Sequence, residues 1–453
     1  MGCERGGSCQ RGSALVAVLA VLFALTVLFI SALSFAISRY GQHVKDTNRL
    51  VASHLAEAGV AMAQADNSLQ TVPLVDSVHN APNGGTFQYE TIAWGPYLLA
   101  ISEGSFANQR CTVTAVMGNR PHDLFKGAVT VCDERYPFTV SGSSRITGDA
   151  FVGPLSMTTG QIRGESPPPD SFHYGALNIV PNLNPPRLDT TTFQSYLRES
   201  ATREQNATSI NAGSLSITTA NQSFFEENVT IVVENDVELN GASLTASGQV
   251  RSLIARGSLE IKGGTTCVGP IELRSGGYIL VQDSCSLQGV LLYAPDSIVF
   301  RHSSRFSGVA VSQGRIVFRD RSVSLHPTAL CVISSGTLDS SGIFLQSRSR
   351  LEAVCTVSSP PLDSVEFPPT VLIDTATTLT GYVLSHALAD IRGTVHGSVV
   401  TERFDYYLPP TTYVNWVRNA VIDRLKMTYS MPLPLLTSTR NQPLSILSYF
   451  DGK

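Results

Sequence analysis

The sequence predicts an α+β chain: a long N-terminal transmembrane helix on a small antiparallel sheet, followed by a parallel β-helix or solenoid with about 19 residues per rung. Three observations predict it. Residues 14–37 carry no charged side chain, four short β-branched and aromatic runs follow between 85 and 135, and three rows of apolar residues beyond 250 recur at one spacing.

A bilayer core takes about 20 apolar residues of helix, so residues 14–37 are long enough to span it. They also exceed the apolar stretch of about 7 to 15 residues in a cleavable secretory signal. Past this run Val44, Val51, Leu55, Ala58, Met62, Ala65 and Leu69 step at helical spacing and form one apolar stripe. Gly41 offers a point for a kink and Pro73 a stop, so a transmembrane plus amphipathic helix is expected over 13–70. The runs GTFQYETIAW, PYLLAISEG, QRCTVTAVMG and FKGAVTVCDER read as meandering antiparallel strands on which that helix packs, a unit over 71–137. Residues 138–209 read as an irregular β segment with the loops GESPPPD and NLNPPR and a helix at 191–205 behind an Asp/Thr cap.

From 210 to 405 a repeat takes over. Ile254, Leu273, Leu292, Val311 and Leu330 are spaced by 19; Ile261, Ile279, Ile298 and Ile316 by 18 or 19; Val268, Leu287, Phe306 and Leu325 by 19. Like residues at one period are what stacked solenoid rungs require, since only inward side chains are constrained. A solenoid end exposes strand edges, so TTYVNWVRNAVIDRLK reads as a terminal helix whose Val414, Val417, Val421 and Leu425 cover the last rung, within a cap over 406–453.

A formal charge of −4 with 15% charged residues leaves no dense basic face, and no nucleic-acid partner is expected. Cys111, Cys132, Cys267, Cys285, Cys331 and Cys355 fall after the apolar run in three neighbouring pairs without metal-binding spacing, and read as disulfide candidates in an oxidising compartment. Arg5 and Arg11 before the span are balanced by Arg39, Lys45 and Arg49 after it, so charge leaves the orientation open. Some β-helices cleave acidic polysaccharides with clustered carboxylates, but Asp283, Asp296, His302, Arg305 and Asp320 are scattered among Ser and Gly. With no nucleophile elbow, phosphate loop or metal cluster, neither catalysis nor a cofactor or metal is expected.

The segment QRGSALVAVLAVLF followed by NRLVASHLAEAGVAMA resembles the N-terminus of PilX-type minor pilins and K-type pseudopilins of the type IV filament superfamily. The resemblance implies a leader over 1–12, removed between Gly12 and Ser13 by a prepilin peptidase, with Cys3 and Cys9 leaving and the new terminus methylated. It implies a pilin-like sheet and, as partners, membrane lipid, other pilin-like subunits and the filament assembly machinery. Major pilins carry a glutamate at the fifth mature position, where this chain has Ala17. That departure resembles subunits at filament tips. The repeat is similar in period to bactofilin-like β-solenoids.

The expectation is therefore a single-pass inner-membrane protein with its C-terminal part in the periplasm, or displayed at the cell surface or a filament tip. The solenoid would engage a surface polysaccharide or protein ligand. The alternatives are an anchored bactofilin-like scaffold, favoured by uncapped terminal rungs, and a polysaccharide-active enzyme, favoured by carboxylates converging in one groove.

Overall fold

The computed structural model describes residues 9–67, 77–82, 84–167, 172–210, 213–246, 249–336, 338, 340–437 and 444–451. Helix α1 (Cys9–Asn67) passes Gly41 as one helix, and Leu69 and Pro73 lie outside the described residues. At about 1.5 Å per residue its 59 residues make a rod of roughly 90 Å. Its halves differ. The apolar window near its start is wholly unburied by protein, whereas Ala52, Leu55, Ala56, Val60 and Ala63 are buried.

Strands β1 (Ser77–Asn80), β2 (Thr86–Trp94), β3 (Tyr97–Phe106) and β4 (Gln109–Asn119) form an antiparallel meander. The fifth strand is not the expected run at 129–131. It is the C-terminal strand Leu444–Asp451, antiparallel to β4. One face of this sheet takes α1, with Phe87, Tyr89, Ala100 and Met117 around Leu55 and Ala63. The other face packs Ala93, Trp94, Tyr97, Leu99 and Val116 onto the outside of the solenoid. Burial on both faces explains why these strands read as near-continuous apolar runs.

The solenoid has three parallel faces per turn. The first, illustrated by Arg251–Ala255 and Ile271–Ser275, is thirteen strands deep among the described residues, or about 60 Å at 4.8 Å per rung. Its order is not sequential. Val399 is followed in the stack by Val129, then by Ala150 and Leu177. Residues 128–180 thus form the far end, and helix α2 (Thr190–Gln205), capped by Asp189, lies between that end and the first strand at Thr208–Ile210.

The rows depart from a strict spacing of 19. Leu253, not Ile254, lies opposite Leu273; Leu273 faces Leu292; and Leu292 faces Ala310, with Leu330 next. Ile254 and Val311 point outward, opposite Arg274 and Tyr293. Leu259, Ile279, Ile298 and Ile316 stack inward, while Ile261 belongs to a parallel column between Leu239 and Val281. Cys267 takes the inward place beside Leu287 and Phe306, leaving Val268 43% and Leu325 47% exposed. The physical reason is the pleat: a bulge between Gln288 and Val290 or an altered turn shifts register by one residue and turns a side chain to the opposite face.

Two further expectations are corrected. No disulfide joins Cys111, Cys132, Cys267, Cys285, Cys331 or Cys355; all are buried thiols. Cys111 lies in β4 while Cys132 lies beside Thr401 in the solenoid, and Cys331 faces the small sheet while Cys355 faces the solenoid core. Cys267 and Cys285 both fill that core as thiols. The expected terminal helix is instead the strands Thr411–Val414, Trp416–Arg418 and Val421–Asp423 with one 3-10 turn. Its Val, Thr, Tyr and Trp content favours a strand, and Phe138–Ser141 and Arg145–Thr147 supply partners.

Candidate functional site

The three solenoid faces meet different surroundings. Outward residues of the first face, Leu291, Tyr293, Val309, Val311 and Ala329, are covered by the small sheet and by Phe193 and Tyr196 of α2. Here Glu272, fully buried, accepts hydrogen bonds from Tyr196 (2.8 Å), Ser200 (3.0 Å) and Ser252 (2.8 Å) and pairs with Arg203 at 2.8 Å. Burial raises its carboxyl, but the Arg203 charge and the three hydroxyls outweigh that and hold it below the usual range. This cluster clamps α2; every carboxylate valence is used, so it offers nothing to a ligand.

The second face is open. On its outside Leu280, Val299, Val317, Phe344 and Leu372 stack in register as a half-buried stripe of about 19 Å along the solenoid axis. Arg315, the first residue of the strand Arg315–Phe318, and Arg319, just past its end, flank Val317, and Arg301 stands one rung from Arg319. A concavity of about 330 Å³ opens here, lined by Val299, Arg315, Val317, Arg319, Ser340, Phe344 and Gln346. Arg315 has no carboxylate within ion-pair distance among the described residues. Arg319 has Asp320 at 3.8 Å, and its buried Nε makes no hydrogen bond.

Sequence reasoning missed this stripe because its apolar residues alternate with equally apolar core residues in YILV, SIVF, RIVF and GIFL, erasing the period-two signal. The one legible trace was the run of arginines from 301 to 321.

Residues suspected of catalysis lie elsewhere. Asp283, His302 and Asp320 stack along a left-handed turn column, with His302 Nδ1 3.4 Å from Asp283 and Nε2 4.0 Å from Asp320, all about half exposed. Asp296 and Arg305 are not in that column. A second concavity of about 240 Å³ is lined by Cys132, Asp133, Glu134, Arg135, Arg187, His386 and Glu402 among others. Its charges largely compensate: Arg135 bonds Asp133 and Asp363, both at 2.9 Å. Burial and the nearby Asp133 charge raise the Glu402 carboxyl, and burial lowers the His386 imidazole. No group of three or more potential metal ligands occurs among the described residues. At the N-terminus, Gly12 and Ser13 lie within α1, and their side chains are outside the described residues.

No family model matches the chain, and no curated protein does. Among solved structures, the competence-associated pilin ComZ from Thermus thermophilus aligns at 11% identity over 90% of this chain and 98% of its own, with a TM-score of 0.18. At that score the reading rests on the residues of this chain alone.

Proposed function

We propose that the chain is a minor pilin-like or pseudopilin-like subunit, anchored by the apolar half of α1, processed between Gly12 and Ser13, and displaying its solenoid outside the inner membrane as a non-catalytic binding platform. The observation that carries this reading is the construction of the small sheet. The amphipathic half of α1 packs on it, the apolar half projects free of protein, and the chain's own C-terminal strand closes it beside β4. The solenoid is therefore an insertion into a helix-on-sheet head. Such a helix is stored in lipid and exchanges lipid contacts for helix contacts when subunits assemble. Ala17 in place of a carboxylate fits a subunit at a filament tip, with prepilin peptidase and other pilin-like subunits as partners.

Mass spectrometry of the amino terminus from native membranes tests it. A terminus at Ser13, methylated, is expected; an intact Met1 or Gly2 terminus removes the filament reading.

The scaffold alternative has one observation in its favour. At the far end the inward-column residues Leu177 and Ile179 are 41% and 54% exposed, and their strand pairs on one side only. The near end counts against it, since Phe225 of the short helix Ser223–Glu227 is buried over the core there.

A further inference from the structure

We propose that the open second face is a binding site for an acidic polysaccharide, with the concavity at Arg315, Arg319 and Phe344 receiving one carboxylate-bearing sugar. This deepens the platform reading and rests on it for biological sense, but the chemistry stands on the site alone.

Arg315 opens the strand Arg315–Phe318 and Arg319 follows it directly, and both line the concavity with Val317 between them. A guanidinium presents a planar fork that matches a carboxylate and is weakly hydrated, so partial burial costs it less than it costs an ammonium. Among the described residues Arg315 has no carboxylate within ion-pair distance, Arg319 has Asp320 at 3.8 Å, and the Nε of Arg319 is buried without a hydrogen bond. The floor is apolar. Val299, Val317 and the Phe344 ring offer hydrocarbon to the C–H face of a pyranose, while Gln346 offers a neutral hydrogen-bonding group at the rim. The volume, about 330 Å³, lies at the small end of ligand sites.

The stripe extends the site in one direction. Leu280, Val299, Val317, Phe344 and Leu372 repeat at about 4.8 Å, close to the length of one sugar unit, and Arg301 stands one rung from Arg319. A polymer with a carboxylate on each sugar, lying along the axis, meets apolar floor on all five rungs and guanidinium on the two neighbouring rungs of Val299 and Val317. Beyond the stripe its column ends in charged residues, Glu260 at one end and the Arg392-paired Asp390 at the other, so the apolar floor is bounded to these rungs. A phosphodiester backbone would use the arginines but leave the hydrocarbon floor idle, and an acidic peptide would not need a ring-sized recess.

The test is direct binding by the purified full chain in detergent, which reads the site whatever the fate of the Gly12–Ser13 bond. The probes are oligogalacturonate, its methyl-esterified form, polyglutamate and duplex DNA. Oligogalacturonate is expected to bind, with affinity reduced about tenfold or more by esterification and by the double substitution Arg315→Gln with Arg319→Gln. Phe344→Ser is expected to weaken oligogalacturonate while leaving the thermal midpoint within a few degrees of the parent. No binding of oligogalacturonate at about 1 mM, equal binding of the ester, full binding by the double variant, or polyglutamate or DNA bound as tightly and lost with the same arginines, would each overturn the proposal.

Discussion

Glu272 is fully buried and binds four side chains. Its carboxylate ties Tyr196, Ser200 and Arg203 of α2 to Ser252 on the neighbouring rung. Because its carboxyl is held below the ordinary value of about 4.3, its contribution is complete above that pH and is lost as pH falls through the lower folded value. Glu272→Gln is expected to cost about 2 kcal/mol at neutral pH. The gap between parent and variant should then close below about pH 4, which thermal midpoints across pH 3 to 7 would register. The thiols make a complementary point. Desolvation pushes Cys267, Cys331 and Cys355 up, so they act as small apolar core residues, and redox chemistry has little hold on them while the chain is folded.

At the scale of elements, the docking of α1 on the sheet depends on a close approach at Gly104 of β3. A Cβ there would stand 2.1 Å from the carbonyl oxygen of Ala52 and 2.5 Å from the nitrogen of Ala56, both backbone atoms that have no freedom to move aside. Gly104→Val is therefore expected to lift the helix and cost about 1 to 3 kcal/mol, seen as faster amide exchange over Val51 to Ala63 with the solenoid unaffected.

Elements were unevenly legible in the sequence. The apolar run, β2, β3, β4 and α2 are readable, because each carries its own period or cap within a dozen residues. Of the expected helical stripe Val51, Leu55 and Met62 pack on the sheet, while Val44, Ala58 and Ala65 are exposed and Ala52, Ala56, Val60 and Ala63 take the buried face instead. The run at 129–131 was assigned to the wrong sheet because a strand's composition does not name its partner. The stretch after Thr411 was read as a helix because Val414, Val417, Val421 and Leu425 happen to fall at helical spacing, although tertiary pairing with Phe138–Ser141 decides the matter. Inward columns were recovered only in part, since bulges and turns let the rung length vary while the eye sought a constant one. The arginine-flanked stripe escaped because a surface column that resembles the core carries no contrast.

For the molecule as a whole, the two solenoid ends decide whether copies stack. Head-to-tail growth needs both ends open; among the described residues the far end exposes Leu177 and Ile179 of its core column, whereas at the near end Ile210 and Leu215 are half-buried and Phe225 is buried in the core. The chain is accordingly expected to sediment as a monomer in detergent at tens of micromolar, a range above typical specific affinities. A ladder of oligomers abolished by Ile179→Asp would instead identify a stacking scaffold. The three faces divide the labour. One is spent on holding the head, one carries the arginines and the apolar stripe, and the third is lined by short polar side chains such as Ser243, Thr266 and Ser286.

The order of stacking also has a meaning in time. Val129 rests on Val399, and β4 is completed by Leu444–Asp451, so both the far end and the head wait for segments made some 270 or more residues later. During synthesis the early strands stand with bare edges, and such non-local topologies fold slowly and are exposed to aggregation. Completion comes in one late stroke. A chain that stops anywhere before Leu444 leaves the β4 edge open, so the head is complete only once that strand has been made.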